Sequence, residues 1–163
     1  MKIKTLLFIA IALSISAVFL MVRNMRSVNY PELPVLTDLR GQVFDPSVLN
    51  NKVYMLSYFQ TWCSDCVKEQ PQLEALQNKY GKDNLEIILI TDETQEKVEQ
   101  FVEMFNPKIL IYRTESGLKK DLGIRAFPTT YLFGKDGKLL RKTVEGIDWN
   151  TEKVHQLIDA QLN

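Results

Sequence analysis

The chain has 163 residues and carries 20 Lys+Arg against 20 Asp+Glu, so its net charge at pH 7 is zero. That balance excludes the basic excess that nucleic-acid binding uses. A content of 45% hydrophobic and 25% charged residues is that of an ordinary folded protein. The length allows one domain plus an attachment.

The attachment stands at the front. Lys2 and Lys4 precede Thr5–Val22, an uncharged run of 18 residues, and Arg23 and Arg26 follow it. A helix of roughly 17–25 apolar residues spans a bilayer, so residues 1–23 read as an N-terminal transmembrane helix. A cleaved signal segment is the competing reading. Ala10-Ile11-Ala12 and Ser14-Ile15-Ser16 offer weak cleavage sites, but cutting there would leave the apolar Ala17–Val22 at the new end. No cysteine lies nearby, which excludes a lipoprotein. Two Lys on one side face two Arg on the other, so flanking charge does not orient the span.

Residues 24–30 read as a polar tether and residues 31–163 as the folded domain. Val35–Asp38 and Gln42–Phe44 flank Leu39-Arg40-Gly41, a small hairpin pattern. Val53–Phe59 and Leu85–Ile90 read as buried strands. The stretch from about Ser64 to Tyr80 reads as a helix stopped by Gly81, with a kink expected at Pro71. Thr94–Phe105 is a helix with Val98, Phe101, Val102 and Phe105 on one face, capped by Thr94 or Asp92. Ile109–Tyr112 reads as a short strand and Glu115–Leu122 as a short polar helix. Thr129–Phe133 and Lys138–Val144 form a hairpin through Gly134-Lys135-Asp136-Gly137. Asp148–Leu162 is the last helix, with Trp149, Val154, Leu157, Ile158 and Leu162 as its apolar stripe. The order of elements argues for an α/β fold with helices flanking a central mixed β-sheet.

The two cysteines of the chain stand in Trp62-Cys63-Ser64-Asp65-Cys66, between the first buried strand and the first helix. There the helix dipole favours a thiolate at Cys63, and Cys66 lies one turn along, close enough to close a disulfide. A bridge over two residues crosslinks too short a loop to stabilise much. A zinc site needs four ligands, and the one histidine, His155, falls in the last helix. Redox chemistry is the reading that remains. Cys63 is expected to be exposed and attacking, and Cys66 deeper and resolving. Glu69 reads as a partly buried acid/base near Cys66, with a solvated or Lys-paired helix carboxylate as the plain alternative. Trp62 and Phe127 read as an apolar rim or as simple packing.

The chain resembles the membrane-anchored TlpA/ResA-like branch of thioredoxin-fold thiol–disulfide oxidoreductases over residues 31–163. The features that carry the likeness are Thr61–Cys66 after an apolar strand, Pro71, Phe127-Pro128-Thr129-Thr130-Tyr131, and the front hairpin leading into Asn51-Lys52-Val53. Glu69 and Gly146 also match the pattern. The resemblance implies a thioredoxin-like fold with an N-terminal hairpin extension, catalysis by Cys63, Cys66 and Glu69, and no cofactor beyond the redox-active disulfide. It implies a cis Pro128 whose loop, with Trp62, Phe127 and Thr129, binds an extended substrate strand; a trans Pro at a strand start is the alternative. It further implies a single-pass cell-membrane protein with an extracytoplasmic catalytic domain. That domain would reduce protein disulfides, apocytochrome c among them, and be recharged by a membrane-embedded thiol donor. An oxidant or isomerase is the second reading, and a copper-binding assembly factor a third, which the Cys spacing and the lack of a nearby His disfavour. Two departures stand out. Ser57 occupies the place of a buried Asp common in thioredoxins, and Ser64-Asp65 replaces a pair that often contains Pro. Asp65 is expected to oppose the thiolate.

Overall fold

A computed structural model describes residues 33–163. The expected anchor at 1–23 and tether at 24–30 lie outside the described residues. Among the described residues no helix is long and apolar enough to cross a membrane.

Strands β1 (Val53–Tyr58), β2 (Leu85–Thr91), β3 (Ile111–Arg113), β4 (Thr129–Phe133) and β5 (Leu139–Val144) form one sheet in the order β3-β2-β1-β4-β5. β1 pairs in parallel with β2, and β2 with β3, while β4 runs antiparallel to both β1 and β5. Every residue of β1 is buried, as a central strand covered on both faces must be. β5, at the edge, is largely open and carries Arg141 and Lys142, which guard it against further pairing. At the other edge Thr37 bridges to Arg113 with backbone bonds of 2.9 and 2.7 Å, so the N-terminal segment covers β3.

Alternation along β1 divides the interior in two. Val53 and Met55 point into a cluster with Leu73 and Leu76 of helix α1 (Ser64–Tyr80), Val98 and Phe101 of α2 (Gln95–Phe105), and Val154 and Ile158 of α3 (Glu152–Leu162). Tyr54, Leu56 and Tyr58 point into a second cluster with Leu36, Phe44, Leu49, Leu118 and Ile124. The three helices therefore share one face, and irregular chain covers the other. A 3-10 turn at Pro46–Leu49, capped by the Asp45 side chain, plugs Leu49 into that second face.

Several elements differ from expectation. The helix expected over 115–122 is a run of turns. Gly117 weakens a helix there, and side chains satisfy the backbone locally: Thr114 Oγ1 accepts from Ser116 N and Asp121 Oδ2 from Gly117 N. The hairpin expected at 35–44 forms as a single antiparallel bridge, Thr37 to Val43, with Asp38 Oδ1 accepting from both Arg40 N and Gln42 N. The last helix begins at Glu152 rather than Asp148, because Asp148 Oδ1 folds back onto Asn150 N and Gln72 Oε1 accepts from Trp149 N. Thr94 takes the N-cap place of α2 without a side-chain bond, and Asp92 is occupied elsewhere. α1 runs on through Pro71 and ends at Gly81, whose φ of 74° a residue with a Cβ rarely adopts.

Leu76 of α1 is fully buried. Leu76→Ala should lower the unfolding free energy by about 2–5 kcal/mol. Leu110→Ala, at an exposed position, should stay within about 0.5 kcal/mol. Urea denaturation of the full chain measures both.

Candidate active site

β1 and the loop after it deliver Cys63 to the N-terminus of α1. Cys63 is the N-cap in extended conformation, and its Sγ accepts from Cys66 N at 3.1 Å. The two cysteines are joined in a disulfide with 5.3 Å between their Cα atoms. Their exposures are 7% for Cys63 and 2% for Cys66. Cys63 is the more open of the two, but it is buried where an exposed sulfur was expected: both cysteines belong to the apolar cluster beneath the helices.

Glu69 lies one turn beyond Cys66 on α1, close to it on the same helix face. It is 3% exposed and makes no ion pair among the described residues. Trp149 Nε1 donates to Glu69 Oε1. On the other oxygen a hydroxyl relay arrives: Thr130 Oγ1 donates to Ser57 Oγ at 2.9 Å, and Ser57 Oγ to Glu69 Oε2 at 3.3 Å. Burial pushes the Glu69 carboxyl above its ordinary value of 4.5, and the three hydrogen bonds from Trp149, Ser57 and Thr130 only partly offset it. The plain reading of Glu69, a solvated or Lys-paired carboxylate, does not describe it. The nearby lysine, Lys68, pairs instead with Asp65 at 2.9 Å on an exposed surface. Lys68 therefore offsets part of the negative charge that Asp65 brings to the cysteine pair.

A solvent-open cleft of about 330 Å³ reaches Glu69 between Asp65, Lys68, Gln72, Gly146 and Asp148. Gly146 lines this cleft beside Asp65; a Cβ there would stand in ordinary contact, 3.8 Å from Asp65 Cβ. Next to the Glu145-Gly146 edge of this cleft the Phe127–Pro128 peptide is cis, and Pro128 and Thr129 are buried. Glu145 N donates to the Pro128 carbonyl and Thr129 Oγ1 to the Ala126 carbonyl. Phe127 and Trp62 meet edge-to-face with ring centroids 6.1 Å apart, and Trp62 is 67% exposed. The structure thus brings Trp62, Cys63, Cys66, Glu69, Phe127, Pro128 and Thr129 to one end of the sheet. His155 stands elsewhere: it is half-buried against Tyr80, with Nδ1 3.1 Å from Tyr80 Oη, at the far end of α1.

Three partners escape the linear reading. Trp149 reads as an apolar helix residue, yet it precedes the helix and serves Glu69. Ser57 stands out in the sequence only as the place of a missing Asp and Thr130 only as part of the Pro128 motif, neither as a partner of Glu69. The usable signal was that a buried indole N–H and a buried carboxylate each require a partner.

A mixed sheet with a cis-Pro loop facing a Cys-x-x-Cys disulfide at a helix start defines a protein of the thioredoxin-like class. Within that class the chain belongs to the Redoxin family, whose sequence pattern matches residues 24–158. It is 34% identical over 110 residues to the thiol-disulfide oxidoreductase ResA of Bacillus thuringiensis subsp. konkukian, a stretch that covers 66% of this chain and 64% of that protein. It is 33% identical over 115 residues to the ResA of Geobacillus thermodenitrificans, covering 69% of this chain and 65% of that one. The match thus spans a little under two thirds of the length of these relatives. Among solved structures it is similar in fold to a thiol-disulfide isomerase from Corynebacterium glutamicum. That likeness has a TM-score of 0.69 at 18% identity and covers 84% of this chain and 97% of that one.

A folded-state pKa raised above 4.5 means that Glu69 favours folding most at low pH. The contribution is full below 4.5, where both states are protonated, and is lost as pH rises through the raised folded value, because the unfolded chain ionises first. Unfolding free energy measured from pH 4 to 8 should therefore fall more with rising pH for the wild type than for Glu69→Gln. Parallel profiles would contradict the buried, proton-retaining carboxyl.

Proposed function

We propose that the chain is a thiol–disulfide oxidoreductase that reduces protein disulfides by dithiol/disulfide exchange through Cys63 and Cys66. The observation that carries this is the Cys63–Cys66 disulfide at the α1 N-terminus with buried Glu69 one turn behind it. In the reduced protein the Cys63 thiolate attacks one sulfur of a substrate disulfide. A Cys63–substrate bond forms, the substrate bond breaks, and the departing thiolate takes a proton. Cys66 then gives its proton to Glu69 and attacks Cys63 Sγ. The second substrate sulfur leaves as thiolate, and the Cys63–Cys66 disulfide forms. Two electrons pass to the substrate, and an external dithiol must return them. The cleft beside Gly146 gives Glu69 its path to solvent.

Substrate binding falls to the Pro128 loop. The N–H and C=O of Phe127 make no hydrogen bond among the described residues, so they are open to an extended substrate strand. Trp62 and Phe127 would flank that strand, with Pro128 and Thr129 shaping the loop. The acid content of the site supports the reducing direction. A thiolate strongly stabilised by its surroundings makes an oxidant, whereas here a buried carboxyl and the acidic Asp65 stand near the sulfurs. The uncharged run Thr5–Val22 supports an anchor that holds the domain at the extracytoplasmic side of the cell membrane, where stable protein disulfides occur. Apocytochrome c is a substrate class that fits this place, and a membrane-embedded thiol protein the fitting donor.

Two measurements test the reading. The reduction potential of the cysteine pair should lie near −270 mV, as in thioredoxin, and a value near −120 mV would make the protein an oxidant. Cys66→Ser should accumulate mixed disulfides with protein substrates while Cys63→Ser does not; equal trapping removes the division of roles. For the anchor, the full chain should stay with membranes through an alkaline carbonate wash with Met1 as its N-terminus. Release of a shortened, soluble form would replace the anchor by a signal segment.

A further inference from the structure

The loop that carries Trp62 to Cys63 is held by two consecutive acids that lie outside the cysteine motif. Asp92 and Glu93 follow β2, directly across from the end of β1. Glu93 is 7% exposed. Its Oε2 accepts from Thr61 N and its Oε1 from Thr61 Oγ1 at 3.1 Å. Lys97 Nζ lies 3.7 Å from Oε1, and Arg113 Nε donates to the Glu93 carbonyl at 2.8 Å. Asp92 works in the other direction. Its Oδ1 accepts from Gln60 Nε2 at 2.6 Å and its Oδ2 from Leu118 N at 2.8 Å. Gln60 in turn gives its carbonyl to Cys63 N at 3.1 Å, and Leu118 gives its carbonyl to Ile124 N at 2.8 Å. One dipeptide therefore holds both the segment leading to Trp62 and Cys63 and the segment leading to Phe127.

Glu93 is buried and Asp92 is exposed; burial of the Glu93 carboxylate is costly unless it is hydrogen-bonded, and neither acid serves the apolar core. Helix capping does not account for them: Thr94 is the N-cap of α2. Both spend their oxygens on main-chain and side-chain donors of the two walls flanking the disulfide. The geometry points to Asp92 and Glu93 as positioning residues that set Trp62 and Phe127 in register across Cys63, so that an incoming disulfide meets Sγ at the attack angle. The role rests on the exchange reaction proposed above and is independent of its direction. A small disulfide needs only Cys63; a protein disulfide needs both walls. The dipeptide thus bears on macromolecular substrates more than on small ones.

The test compares rates of exchange of the reduced full chain with insulin and with glutathione disulfide, for wild type, Glu93→Ala, Glu93→Gln and Thr61→Val. Misplacement by about 1 Å costs up to roughly a hundredfold in rate. Glu93→Ala is expected to slow exchange with insulin by about tenfold and with glutathione disulfide by less than about threefold. Glu93→Gln keeps one acceptor for Thr61 N and should recover most of the insulin rate. Thr61→Val removes a single donor and still folds if Glu93→Ala does not; it should slow the insulin reaction by about twofold or more. Equal slowing towards both disulfides, or a lowered unfolding midpoint with unchanged rates, assigns the acids to stability and overturns the role. Wild-type protein that exchanges with neither disulfide overturns the exchange reading itself, and the positioning role with it. Wild type that exchanges while Glu93→Ala and Thr61→Val match it overturns the positioning role alone.

Discussion

The bond from Trp149 Nε1 to Glu69 is the contact on which the site turns. A carboxyl this deep is expensive in any fold, and it is retained only because donors converge on it from separate parts of the chain. Trp149 comes from the turn before α3, Ser57 from β1 and Thr130 from β4, while Glu69 itself rides on α1 behind Cys66. Each donor is set by a different tertiary contact, so the carboxyl exists as a buried acid only in the folded domain. The unfolded chain leaves it an ordinary glutamate. That difference makes Glu69 a place where stability depends on pH and, in the proposed exchange, the group that takes the Cys66 proton.

Ser57 gains meaning from this arrangement. In place of a buried acid on β1, the chain puts a hydroxyl there and the acid on α1. The side chain of Ser57 points to the helical face because residues 53, 55 and 57 share it. The buried acid of this site therefore stands on the helix that carries the cysteines, with Ser57 as one of its donors. From there it opens onto the cleft beside Gly146.

The asymmetric cover of the sheet follows from the same alternation. One face takes all three helices, and the other takes the N-terminal segment and the turns between β3 and β4. Those turns are not incidental. Because residues 114–126 stay irregular, Leu118 can present its N–H to Asp92, and the chain can arrive at Phe127 in the geometry of the cis-Pro loop. A regular helix over the same stretch would have spent that N–H internally or left it facing solvent.

Much of this was legible in the residues. The mainly apolar runs at 53–58 and 85–90 read as buried strands, and α1 follows from the stretch between Cys63 and Gly81. The cysteine pair at a strand–helix junction carries the redox reading by local chemistry alone. What the linear order left open was decided by contacts between distant segments. Whether Glu69 was solvated or buried depended on Trp149, eighty residues away. Whether 115–122 was helical depended on Thr114 and Asp121 outcompeting a helix that Gly117 had already weakened. The tie between Glu93 and Thr61 spans 32 residues and has no periodicity to announce it. Period and composition determine strands, helices and the position of reactive sulfur, because those depend on neighbours in sequence. The state of a buried charge depends on which donors the fold brings to it, and only the tertiary structure decides that.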